Sequence, residues 1–127
     1  MMAALCGGDV DFVAGGLENV ILAWYENADG AGDTWRARVI LADIDEGTWE
    51  VSVGDVDGDG DLDVLTASRW SRATMVAWYE NDGNATGWTD RVVSDRFPTR
   101  GATGAATADV DGDNVNDVVV AAVDAQY

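Results

Sequence analysis

The stretch Asp55-Val56-Asp57-Gly58-Asp59-Gly60-Asp61-Leu62-Asp63 returns 54 residues later as Asp109-Val110-Asp111-Gly112-Asp113-Asn114-Val115-Asn116-Asp117. Each copy sets carboxylates at its positions 1, 3, 5 and 9, with Gly or Asn where the chain must turn sharply. Oxygen ligands at alternate positions of a curling segment wrap a hard cation, because each side chain reaches inward as the chain bends. Ligating side chains that are all Asp suit Ca²⁺ better than a soft or redox-active metal. Two matching loops in one short chain make a solvated, metal-free turn the weaker reading.

Working outward, the repeat extends past the loops. Ala23-Trp24-Tyr25-Glu26-Asn27 recurs as Ala77-Trp78-Tyr79-Glu80-Asn81, again 54 residues on. Trp35-Arg-Ala-Arg-Val-Ile40 matches Trp88-Thr-Asp-Arg-Val-Val93 at an offset of 53, one residue having been lost in the turn between. A period near 50 signals a propeller or solenoid rather than a self-contained unit. Four strands fill each period. The first approaches the loop (48–54 and 103–108) and the second leaves it (62–68 and 115–123). The third carries Trp-Tyr-Glu-Asn (74–81) and the fourth the Arg-Val-Val stretch (88–94). Their β-branched and aromatic residues, separated by Gly, Asn and Asp, support strands joined by turns. No segment shows a capped helical period.

The chain opens partway through a unit. Gly8-Asp9-Val10-Asp11-Phe12-Val13 matches Gly60-Asp61-Leu62-Asp63-Val64-Leu65, and Met1 to Gly7 stand where the front of a loop belongs. Asp9 and Asp11 alone would make a poor metal site. The expected division is a partial first repeat at 1–47, a complete blade at 48–100 around the loop 55–63, and a partial third repeat at 101–127 around the loop 109–117. That is about two and one third repeats, an incomplete open array, since a closed propeller needs about four blades or more. Its open edges call for other blades, from the same protein or from an oligomer.

These residues resemble the FG-GAP/VCBS family of propeller repeats, related to those of the integrin α-chain head. The resemblance rests on Asp-x-Asp-Gly-Asp-Gly-x-x-Asp, on Leu65-Thr-Ala-Ser68 and on Ala-Trp-Tyr-Glu-Asn, and covers nearly all of residues 8–124. It implies an all-β fold of four-stranded β-propeller blades, the loop joining the first two strands of each. It also implies Ca²⁺ held by Asp55, Asp57, Asp59, the Asp61 carbonyl and Asp63. The second set is Asp109, Asp111, Asp113, the Val115 carbonyl and Asp117. Asn114 replaces Gly at position 6, a mild departure because Asn also reaches the left-handed region. An EF-hand is excluded, since it wants a bidentate Glu at position 12 between helices. Thr66 and Val120 stand there, between strands. Dockerin-like modules repeat at a shorter interval on helices and are excluded too.

Composition narrows the function classes. The 127 residues carry 24 acidic and seven basic groups, a formal charge of −17, with nine of the acids in the two loops. Two bound Ca²⁺ would bring −17 to −13. So acidic a surface does not suit nucleic acid or anionic membrane. The basic residues are all Arg, and His and Lys are absent. Ser-His-Asp and Cys-His catalysis, His-containing zinc sites and Lys-based phosphate loops or Schiff bases therefore have no residues to work with. Cys6 is the single cysteine and forms no intrachain disulfide. No apolar run approaches the roughly 20 residues of a membrane span, and the N-terminus has no signal-peptide pattern.

Trp24, Tyr25, Trp78 and Tyr79 read as core or inter-blade packing, because neighbours on a strand face opposite sides and cannot share one sugar-stacking surface. Trp49 and Trp70 lack repeat equivalents and suit a contact surface better. Asn84-Ala-Thr86 fits a glycosylation sequon, a short and weak pattern. The expected function is a non-catalytic, extracellular, Ca²⁺-stabilised module for adhesion or for protein or glycan binding. The alternative is an accessory propeller segment of a larger secreted hydrolase or lyase.

Overall fold

The computed structural model describes residues 1–16, 21–42, 50–68, 76–94 and 102–122. Ten strands follow in chain order: β1 (Met2–Ala3), β2 (Asp11–Gly15), β3 (Ile21–Asn27), β4 (Trp35–Ala42), β5 (Glu50–Gly54), β6 (Asp63–Ala67), β7 (Val76–Asn81), β8 (Trp88–Ser94), β9 (Ala102–Ala108) and β10 (Asp117–Ala122). They form three antiparallel meanders: β1-β2-β3-β4, β5-β6-β7-β8 and the pair β9-β10. No helix occurs among the described residues. The architecture is all-β, built of four-stranded propeller-like blades, and no closed sheet forms among the described residues. The outer limits expected for several strands, Thr48, Thr74 and Val123, lie outside the described residues, as do Trp49 and Trp70.

The N-terminal sheet is fuller than the repeat count suggests. Met1 to Gly7, read as standing in for a missing loop front, supply the two-residue strand β1, with Met2 opposite Phe12 and Ala3 opposite Asp11. Repetition extends to irregularities: the third and fourth strands slip register between Leu22 and Ala23 in one sheet and between Val76 and Ala77 in the next. The shared Glu of the inner third strand pairs with the shared Arg of the outer fourth strand, Arg38 with Glu26 at 2.8 Å and Arg91 with Glu80 at 2.6 Å. Exposed pairs of this kind contribute at most about 1 kcal/mol.

The sheets stack through two apolar seams. Between the first and second lie Leu5, Val13, Leu22, Trp24, Val64, Ala77 and Tyr79, with Trp88 packed alongside. Between the second and third lie Leu65, Ala67, Val76, Ala102 and Ala105, with Val56, Trp78, Val118 and Val120 at the margin. Strand alternation explains the partition: Val64 faces one seam and Leu65 the other. Three of the four Trp-Tyr aromatics pack as expected, Trp24 and Tyr79 in the first seam and Trp78 at the margin of the second, whereas Tyr25 is exposed because no described residue covers its face. A Cβ on Gly54 would lie 2.0 Å from Thr107 Oγ1, so β5 approaches β9 closely because position 54 carries no side chain. Ser52 Oγ adds a 2.6 Å hydrogen bond to the Ala105 carbonyl.

Candidate metal centre

The two acidic loops close the β5–β6 and β9–β10 hairpins, so their carboxylates hang at one end of adjacent sheets. Each loop turns through left-handed residues at positions 4 and 6. Gly58 (φ 79°) and Gly60 (φ 97°) serve in the first, Gly112 (φ 81°) and Asn114 (φ 68°) in the second. Asn114 adopts the conformation that its side chain tolerates, and the loop keeps its shape.

Carboxylates then fasten the turn to itself. Asp55 accepts from Gly58 N at 2.7 Å and Gly60 N at 3.1 Å. Asp109 accepts likewise from Gly112 N at 2.7 Å and Asn114 N at 3.0 Å. Asp57 accepts from Asp59 N at 3.2 Å, and Asp111 from Asp113 N at 3.1 Å. These bonds orient the carboxylates while leaving lone pairs for a cation.

The structure brings together three side chains per loop. Oxygens of Asp55, Asp57 and Asp63 lie within 4.8 Å of one another, and so do those of Asp109, Asp111 and Asp117. Two ligands on opposite sides of one Ca²⁺ stand roughly 4.6–5.2 Å apart, twice the metal–oxygen distance. Each triad thus fits a single ion and could hold one. Asp59 and Asp113 stand outside the triads and accept from Asp61 N (2.9 Å) and Val115 N (2.8 Å) instead. The Asp61 side chain turns toward Gly83, where an added Cβ would sit 2.8 Å from its Oδ2. For Asp61 and Val115 the expected donor is the carbonyl.

Asp63 is 1% exposed. Its Oδ2 accepts from Val56 N at 2.9 Å and its Oδ1 from Asn81 N at 2.9 Å. Burial pushes its carboxyl up to about 6; Asp57 and Asp59 press the same way, and the two N–H bonds oppose them. In the N-terminal sheet Asp11 repeats this arrangement, accepting from Leu5 N, Cys6 N and Asn27 N. Asp9 lies against Gly30, as Asp61 does against Gly83.

Three features of the site escaped the sequence reading. The ninth-position Asp anchors main chain as well as offering a ligand. Asn81, 2% exposed, donates to the carbonyls of Leu5 and Leu62 and accepts from Gly83 N and Ala85 N. Asn116 Nδ2 donates to the Asp55 carbonyl at 2.6 Å, joining one acidic loop to the other. The recurrence of Asn at the end of Trp-Tyr-Glu-Asn was the available signal for the second. Asn116 has no repeat partner, since Leu62 occupies its place in the first loop.

The FG-GAP-like repeat family matches residues 8–66 and again 55–120, and the chain belongs to that family. Each match ends in the strand that follows an acidic loop, so the matched unit straddles two sheets. No curated protein and no solved structure compared with the chain matches it significantly. Among the described residues, no helix is long and apolar enough to cross a membrane.

Proposed function

We propose that this chain is a calcium-binding FG-GAP module that acts by binding, not catalysis, outside the cell. The observation that carries the reading is the pair of triads, Asp55, Asp57, Asp63 and Asp109, Asp111, Asp117, each compact enough for one ion. Asp55, Asp57, Asp59, Asp63 and the Asp61 carbonyl hold the first Ca²⁺. Asp109, Asp111, Asp113, Asp117 and the Val115 carbonyl hold the second. The ion supplies charge neutralisation, which lets crowded carboxylates close a tight turn. Its role is structural, and the stiffened loop ends of the sheets present the surface for adhesion or for a protein or glycan ligand. Family membership supports the extracellular setting, where calcium modules bind at about 10⁻⁴ to 10⁻³ M.

Calorimetric titration tests the reading. Ca²⁺ should bind with a stoichiometry near two and raise the melting temperature, whereas Mg²⁺, which demands octahedral geometry and keeps its waters, should do little. Absence of heat with millimolar Ca²⁺, or equal stabilisation by Mg²⁺, would overturn it.

A further inference from the structure

Two sheet faces carry the halves of an apolar seam that the described residues do not make. Tyr25 and Tyr79 hold the same place in the repeat, yet Tyr79 is 6% exposed and Tyr25 37%. Phe12 corresponds to Val64; the first is 41% exposed and the second 0%. Trp35 is exposed where Trp88 packs into a seam. The difference is one of cover. Val64, Tyr79 and Trp88 lie under the first sheet, which offers Leu5, Val13, Leu22 and Trp24. Among the described residues nothing lies over Phe12, Tyr25 and Trp35, which with Met2 and Ala14 line an apolar recess of about 410 Å³.

The opposite end shows the complementary half. Val13, Leu65 and Val119 are repeat equivalents on the face that each sheet turns to the next. Val13 and Leu65 are buried in the two seams, while Val119 is 48% exposed. Leu5, Val56 and Val110 follow the same series: buried, half-buried in a seam, and exposed. Around Val119 the face carries small residues, Ala106, Ala108 and Ala121, all exposed, with Asp117 at its loop end.

We propose that a second copy of this chain covers the Phe12–Tyr25–Trp35 face with its own Val110–Val119 face, head to tail. The two seams inside the chain are the template, so the new contact continues an interface that this sequence already makes twice. Bulky aromatics on one side meet small residues on the other, the pairing that interdigitates best. The contact is heterologous, joining two different patches, so one copy can give and receive at once.

Sedimentation velocity tests it at about 0.15 M salt, where the Debye length is about 8 Å and the acidic chains are screened from each other. The wild-type chain should sediment at twice the monomer mass or more as concentration rises. Tyr25→Arg and Val119→Arg each spoil one half of the contact, and both sites are exposed, so folding should survive; near-ultraviolet circular dichroism checks this. Arg also lowers the negative charge, so lost association cannot come from added repulsion. Each variant alone should be monomeric. An equimolar mixture should regain a species of twice the monomer mass, because one variant keeps its head and the other its tail. A wild-type chain that stays monomeric, variants that associate unchanged, or a mixture that stays monomeric would each overturn the proposal.

Discussion

The backbone N–H of Asn81 donates to Asp63 Oδ1 at 2.9 Å, and Asn27 repeats the bond to Asp11 at 3.0 Å. In both sheets the other carboxylate oxygen takes an N–H from the segment ahead of it, Val56 or Leu5. One side chain thus fastens the end of the third strand, the start of the second and the entry to the turn. In the second sheet that same carboxylate belongs to a triad that could hold a metal ion.

Asp57→Ala and Asp63→Ala should therefore fail differently. Among the described residues Asp57 accepts a bond only from Asp59 N, at the surface, so its loss should lower the melting temperature only when Ca²⁺ is present. In chelator the variant should be neutral or slightly stabilised, since a crowded negative charge has gone. Asp63→Ala strips two N–H groups of their acceptor at about 1–3 kcal/mol each, with or without metal. Melting curves of both variants in Ca²⁺ and in chelator check the contrast.

Asp11→Ala should be as damaging as Asp63→Ala although Asp11 belongs to no triad. Three backbone donors lose their acceptor there. Asp9→Ala, at an exposed neighbour, should change stability by less than about 0.5 kcal/mol. Denaturant titration in chelator separates the two.

Acidity should act on the first loop in a defined window. The Asp63 carboxyl is raised from 3.8 to about 6 in the folded chain. Protonation therefore favours the metal-free fold below the unfolded value, and that contribution is lost as pH rises through about 6. Ca²⁺ requires the carboxylate, so the sign reverses on binding: affinity should weaken as pH falls through about 6. Calorimetry in buffers of different ionisation enthalpy should find close to one proton released by this loop at about pH 5 and almost none at about pH 8.

Gly54→Ala should prise β5 from β9. Its Cβ would meet Thr107 Oγ1 at 2.0 Å and the Thr107 Cβ and Cγ2 at 3.0 Å, and such overpacking costs about 1–3 kcal/mol. Thr107→Gly in the same chain removes every clashing atom and should restore much of the loss. A double-mutant cycle measured by thermal melting gives the coupling.

Asn116→Ala should weaken calcium at a loop it does not belong to. Its side chain holds the Asp55 carbonyl at 2.6 Å, and release of that tie frees the first loop to move before it binds. A loss of about one hydrogen bond, 0.5–1.5 kcal/mol, should appear as a roughly two- to twelvefold weaker first site with the stoichiometry unchanged.

The loops and strands could be read from sequence because both write themselves in spacing: alternate Asp for the turn, Trp-Tyr-Glu-Asn and Arg-Val for the paired strands. The N-terminal strand could not. Met2 and Ala3 have no repeat equivalent, and they pair because Asp11 holds Leu5 and Cys6 beside them. The close approach at Gly54 was equally silent, since it depends on Thr107 from another sheet. Residues that answer to one neighbour in the chain leave a pattern; those that answer to a distant one do not.

The first sheet secures its turn with its own main chain, through Asp11, whereas the last hairpin relies on Asp109, Asp111 and Asp117, all exposed. Where units contact only their neighbours, stability is a sum of local terms and can be lost from one end. Calcium withdrawal should therefore give the array a polarity: amides of β9 and β10 should exchange first, those of β2 and β3 last. Falling calcium would travel along this protein as a direction of fraying, from the β9–β10 hairpin toward the sheet that Asp11 fastens.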